Sequence, residues 1–156
     1  MWWRRLRWFL TLAALCAIAT CPAAKRSCTA KNRSREADEL VTAIADRVAH
    51  NVAVTGKVPL MPAGPSPLMS CCEQDGGVCK ADFAVWSSAG WRDLGFSIDG
   101  DYRYIYQYVP DPSGKSAVIR AMGDLDCNGV TSLYELKLTV VGTLVHRRWR
   151  RVNPYE

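Results

Sequence analysis

At 156 residues the chain has room for one domain, and 49% apolar residues are enough for one modest core. The formal net charge is +5, but Arg4, Arg5 and Arg7 lie in a segment with the character of a targeting signal. Removing these three from the 20 basic residues leaves 17 against 15 acidic residues. A balance this close to neutral does not predict a nucleic-acid partner.

The first 24 residues have the layout of a secretory signal: a basic start, an apolar run from Trp8 to Cys21, and then small residues. The apolar run is about fourteen residues, whereas a helix that spans a membrane needs roughly twenty. We assign residues 1–24 to a signal peptide or an N-terminal membrane anchor, with residues 8–21 contacting the inner membrane, and residues 25–156 to one globular domain. A lipoprotein signal ending at Cys21 is an alternative.

The chain contains seven cysteines, five of them after the export signal, and this number predicts an oxidising compartment in which disulfides persist. Cys71, Cys72 and Cys79 cluster in the segment SCCEQDGGVC, where the paired glycines allow the chain to turn back. We predict a disulfide between Cys72 and Cys79 and leave the pairing of Cys28, Cys71 and Cys127 open. A zinc site is a weaker alternative, because adjacent cysteines lack the C-x₂-C spacing of zinc ligands.

Helical periodicity over residues 34–51 predicts an amphipathic helix. Its apolar positions are Ala37, Leu40, Val41, Ile44 and Val48. Residues 52–70 are rich in proline and glycine, a composition that resists both helix and strand, so they predict a long connecting loop.

Strict alternation over residues 102–108 predicts a strand, and the segments SAVIRAMG and LYELKLTVV predict two more. Short turns between successive strands favour an antiparallel meander. We therefore predict an α+β fold, with an N-terminal helix packed on an antiparallel sheet of about four strands.

One face of the first strand carries four tyrosines, and the C-terminal region carries a basic cluster at residues 147–151. We expect the tyrosines to pack against the helix or a neighbouring strand, with a contact surface as the alternative. We expect the basic cluster to be a solvated tail. The tyrosines are Tyr102, Tyr104, Tyr106 and Tyr108.

Common catalytic motifs do not occur in the sequence, which contains neither G-x-S-x-G nor H-E-x-x-H. His50 and His146 are its two histidines, so a nucleophile paired with a general base lacks its usual members. We predict that the protein is not an enzyme.

The segment DLDCNG with a later glutamate satisfies the calcium-loop pattern D-x-[DN]-x-[DN]-G-x₅-E. Oxygen ligands at alternate positions let one loop curl around a hard cation, and glycine permits the sharp turn. The alternative is a tight turn in which aspartates accept backbone N–H groups. The predicted ligands are Asp124, Asp126, Asn128, Val130 and Glu135.

A family resemblance is carried by three segments in order: Trp86 followed by WRDLGF at 91–96, YRY at 102–104 followed by Tyr106, and GDLDCNG at 123–129 followed by Ser132. Together they resemble the globular part of type IV pilin-like proteins of deltaproteobacterial type. Residues 26–40 are similar to the point where the membrane helix of a pilin becomes its amphipathic half. The resemblance covers roughly residues 22–140.

The N-terminus departs from that family, since it has no glycine at a leader cleavage point and no acidic residue before Glu36. The resemblance implies a pilin-like or pseudopilin-like structural component of the cell envelope, or of a type IV pilus or secretion-type fibre, with other pilin-like subunits as partners. The alternative is a soluble, secreted, calcium-stabilised binding module that uses its tyrosine face or residues 147–151 as the contact surface.

Overall fold

The computed structural model describes residues 31–156. Predictions for the signal or anchor segment, its membrane contact and Cys28 lie outside these residues. None of the helices in the described part of the chain is long and apolar enough to cross a membrane.

Helix α1 is described over residues 31–55, longer at both ends than predicted. Six apolar side chains on one face of the helix are fully buried, so this side of the helix lies against the sheet. Burial of each valine or isoleucine stabilises the fold by roughly 1.5–3 kcal/mol. The helix ends where the Gly56 N–H donates to the Val52 carbonyl at 2.8 Å with a positive φ of 71°. The six buried residues are Ala37, Val41, Ile44, Ala45, Val48 and Val52.

The predicted α+β fold is confirmed, and the sheet has five strands in the order β1-β2-β3-β4-β5. Every neighbouring pair is antiparallel. The strands are β1 Ala63–Ser66, β2 Ile105–Pro110, β3 Ser116–Gly123, β4 Ser132–Val141 and β5 Leu144–Val152.

Three of these strands correct the sequence-based expectations. β2 begins at Ile105, so residues 102–104 of the predicted strand precede it, and Tyr102 forms an isolated bridge with Cys79. β1 lies inside residues 52–70, which were predicted to be loop. Its one proline, Pro65, is tolerated because β1 is an edge strand that, among the described residues, pairs only with β2. β5 contains residues 147–151, which were predicted to be a solvated tail.

The segment between β1 and β2 contains two 3₁₀ turns, Cys71–Glu73 and Asp75–Gly77, and two short helices, α2 Phe83–Trp86 and α3 Ala89–Leu94. These helices bring an aromatic cluster to the core. Trp86 packs 5.2 Å from Trp91 and 5.5 Å from Tyr102 between ring centroids. The indole N–H of Trp91 donates to Ser66 Oγ at 2.8 Å, which ties α3 to β1.

Candidate functional site

The loop between β3 and β4, residues 124–131, contains the predicted calcium motif. The Asp124 carboxylate accepts the backbone N–H of Asn128 at 3.2 Å on one oxygen and that of Gly129 at 2.7 Å on the other. Asn128 Oδ1 in turn accepts the Val130 N–H at 2.7 Å. Asp124 therefore forms the backbone-capping turn that was the alternative to a metal site.

Glu156 also forms a hydrogen bond with this loop. The Asn128 side-chain amide donates to Asp126 Oδ2 at 3.0 Å and to Glu156 Oε2 at 3.3 Å. Sequence reasoning missed Glu156, because no motif spacing connects it with a loop 28 residues earlier. Only the return of the chain along β5 brings it there.

Glu135, the last predicted calcium ligand, lies on β4 and is held by arginines. Its carboxylate accepts from Arg120 Nε at 2.8 Å and lies 4.0 Å from Arg150 Nη1. These contacts run across neighbouring strands, since Glu135 is opposite both arginines in the sheet register. Within residues 31–156, no three Asp, Glu, His or Cys side chains are grouped so that they could hold a metal ion. Calcium binding stays a prediction.

The predicted disulfide between Cys72 and Cys79 is wrong. Cys71 pairs with Cys79, and Cys72 pairs with Cys127 of the β3–β4 loop. Backbone hydrogen bonds of 2.8 and 3.0 Å with Tyr102 hold Cys79 in the core, where it is fully buried. Cys71 is the buried residue of its 3₁₀ turn, so its side chain meets Cys79, while that of Cys72 points toward the loop.

The two disulfides constrain the segment between β1 and α2. One closes a short loop within the segment, and the other joins it to the β3–β4 loop 55 residues later. Persistent disulfides indicate an oxidising compartment, which agrees with export from the cytoplasm.

The tyrosine stripe is part of the core. Its four members are at most 1% exposed, so the expected packing is confirmed and the stripe is not a contact surface. The Tyr106 hydroxyl donates to Glu36 Oε1 at 3.2 Å, and the Tyr108 hydroxyl donates to the Pro59 carbonyl at 2.7 Å. Burial, together with the nearby Glu36 carboxylate, raises the pKa of Tyr106, so its hydroxyl stays protonated and acts as a donor.

The basic cluster is joined to helix α1. Arg147 Nη2 lies 2.7 Å from Asp46 Oδ1, and Arg151 Nη2 lies 2.6 Å from Asp38 Oδ1. The Arg151 guanidinium also stacks 4.3 Å above the Trp149 ring. Two of the cluster's arginines therefore fasten β5 to the helix.

A shallow depression of about 400 Å³ opens where the loop after α1 meets the end of β2. The described residues that line it have no titratable side chain. Its lining residues are Leu60, Pro62, Val109, Pro110 and Pro112.

No protein-family model, curated protein or solved structure matches this chain. The fold and the contacts above define a disulfide-linked α+β protein, with a long N-terminal helix on an antiparallel meander.

Proposed function

We propose that this chain is a structural protein of the bacterial cell envelope, a pilin-like or pseudopilin-like subunit that acts through contacts between protein surfaces. The observation that supports this most directly is the position of α1 along one face of an antiparallel meander. This arrangement is what the resemblance to pilin-like proteins implies for the helix and the globular head.

The two sides of α1 differ in a way that suits this role. The apolar side is buried by the sheet, whereas the side chains of Arg35 and Glu39 are 72% and 69% exposed. A helix covered on one side and charged on the other can present its charged side to a neighbouring subunit. The two disulfides favour an oxidising compartment as the place where this surface would act.

Cell fractionation with intact-mass measurement tests the proposal. A photo-crosslinking residue at Glu39, on the exposed side of α1, should link the membrane-associated chain to other pilin-like subunits. The same residue at Asp111, in the exposed turn between β2 and β3, is the matched control and should form fewer such links. Recovery of a chain cut near Ala19 or Ala24 as a soluble monomer without crosslinks would contradict the proposal.

A calcium-stabilised binding module is the second candidate function. The observation that favours it is the gathering of Asp126, Asn128 and Glu156 on one side of the β3–β4 loop. The predicted ligands fit a single ion incompletely, because Glu135 is paired with Arg120 and both oxygens of Asp124 accept backbone N–H groups.

Thermal melting with and without calcium decides this second candidate. A calcium module requires that the ion raise the melting temperature, that Asp126→Ala abolish the rise, and that Asp99→Ala, at an exposed turn, preserve it. A melting curve that calcium leaves unmoved would remove the site and leave the backbone-capping turn as the role of this loop.

A further inference from the structure

Strand β5 leaves one side of the sheet open. It is nine residues long and pairs with β4 on one side, and no other strand of the described residues lies beyond it. A long edge strand presents unpaired N–H and C=O groups that can hydrogen-bond to another extended chain.

The sheet register identifies which backbone groups of β5 face the open side. The Val140 N–H donates to the Lys115 carbonyl on the β3 side, so even-numbered residues of β4 bond to β3 and odd-numbered ones to β5. Odd-numbered residues of β4 stand opposite even-numbered residues of β5, as Lys137 does opposite Arg148. The N–H and C=O groups directed to the open edge therefore belong to Val145, Arg147, Trp149 and Arg151.

The same strand carries an unbalanced positive charge. Leu144–Val152 contains four arginines and no acidic residue. Arg147 and Arg151 are paired with the helix, but Arg148 has no carboxylate within 4.0 Å among the described residues. Its cross-strand neighbour is Lys137, so two like charges stand directly opposite each other on the outer face of the sheet.

These charges decide what can pair with the edge. Two β5 strands from separate copies would bring eight arginines together, which disfavours self-association. An acidic strand would instead supply the carboxylates that Arg148 lacks and that Arg150 finds only in Glu135, which it shares with Arg120.

We propose that the open edge of β5 binds an extended acidic peptide segment as a sixth strand of the sheet. Backbone groups of the peptide bond to the odd-numbered residues of β5. Because side chains of a strand alternate between faces, every second peptide residue lies on the outer face beside Arg148 and Arg150, and these positions take glutamate or aspartate. The positions between them face Trp149 and the arginines already paired with α1, and these take neutral β-branched residues.

Two peptides of identical composition provide the first test with the full chain. One alternates glutamate with valine or threonine, and the other places all its glutamates in one block. Fluorescence anisotropy should show the alternating peptide binding about tenfold more tightly, a difference of about 1.4 kcal/mol. Equal affinities would overturn the proposal, because they would show attraction to charge without strand pairing.

Amide hydrogen exchange reads out the backbone contact directly. Amides of Val145, Arg147, Trp149 and Arg151 should exchange quickly in the free protein and slow when the alternating peptide binds. Amides of His146 and Arg148 already bond to β4 and should stay protected throughout. Binding that leaves the four odd-numbered amides unprotected would overturn the proposal.

Charge reversal at Arg148 provides the matched variant. Arg148→Glu creates a favourable pair with Lys137, so the sheet should fold, while affinity for the alternating peptide should fall about tenfold or more. Arg92→Glu, which reverses an exposed charge on α3, should leave affinity unchanged. Equal losses in both variants would mean that only net charge matters and would overturn the proposal.

Vesicles of phosphatidylglycerol and phosphatidylcholine separate a peptide partner from an anionic membrane. The proposal expects the alternating peptide to bind at physiological ionic strength and the vesicles to leave the β5 amides unprotected. Vesicle binding at β5 with no peptide binding would overturn it. Arg148 and Arg150 lie on the face of the sheet opposite to α1, so these outcomes are independent of the crosslinks at Glu39.

Discussion

Glu36 joins α1 to the segment that leads into β2. Its carboxylate accepts the Arg103 N–H at 2.8 Å and lies 3.6 Å from the Arg103 guanidinium. Burial raises the pKa of Glu36 above its ordinary value of 4.5, and the contacts with Arg103 and Tyr106 only partly offset that effect. Ionised Glu36 therefore holds α1 against the segment before β2 at some cost in stability.

Protonation of Glu36 should make the fold more stable. Its folded-state pKa is raised, so at neutral pH the ionised carboxylate contributes unfavourably, and this contribution fades as pH falls through the raised pKa. Relative to that of Glu36→Gln, the free energy of unfolding of the wild type should rise as the pH falls from neutral, and it should level off near pH 4.5. Urea denaturation across this range measures the difference.

The exposed carboxylate of Glu39 offers the control for that experiment. Glu39→Gln also removes one acidic residue from α1, but its side chain is 69% exposed. A difference between wild type and Glu36→Gln that does not change with pH would show that burial leaves the Glu36 proton affinity unaltered.

Contact between α3 and β1 depends on glycine at position 90, which has no side chain. A Cβ atom at Gly90 would lie 2.1 Å from the Pro62 carbonyl oxygen and 2.8 Å from Ala63 Cα. The backbones of the two elements therefore approach directly, and Trp91 bonds to Ser66 beside this contact. Glycine at 90 is what lets a short helix cover a short edge strand.

Gly90→Ala should separate these two elements. Backbone atoms cannot move aside as a flexible side chain can, so we expect a loss of about 1–3 kcal/mol in the free energy of unfolding. Gly100→Ala is the matched control, because a Cβ atom there meets nothing within 4 Å, and its effect should stay within about 0.5 kcal/mol. Urea denaturation compares the two; equal effects would argue against the close approach.

The two disulfides connect parts of the chain that local sequence does not relate. The disulfide between Cys72 and Cys127 spans 55 residues, and that between Cys71 and Cys79 spans 8. The longer link restricts the unfolded chain more, so it should stabilise the fold more. It also joins the irregular segment after β1 to the loop between β3 and β4.

Removing the two disulfides separately should reveal this difference. The chain-entropy relation predicts a loss of about 4 kcal/mol for Cys72→Ser with Cys127→Ser and about 2.5 kcal/mol for Cys71→Ala with Cys79→Ala. Chemical denaturation measures both, and peptide mapping without reduction confirms the remaining pair. A peptide linking Cys72 to Cys79 in the native protein would contradict the observed connectivity.

Local patterns were sufficient for the elements whose burial is periodic. The core face of α1 follows from apolar residues at helical spacing, and β3 has the same bounds as the predicted segment SAVIRAMG. Burial of the tyrosine stripe follows from strict alternation in the same way. In each case the residues that share the buried face are close in sequence, so the local pattern shows which face is buried.

Contacts between distant residues needed the tertiary structure. The basic run in β5 has no alternation that predicts a strand, and it becomes one because β4 pairs with it and because Asp46 and Asp38, 101 and 113 residues away, neutralise two of its arginines. The adjacent Cys71 and Cys72 form disulfides with different cysteines because their side chains point in different directions. Glu135 fits a calcium motif by spacing, yet its position in the sheet places it beside Arg120. Spacing along the chain shows which side chains could contribute to a site, but the tertiary structure determines which of them come into contact.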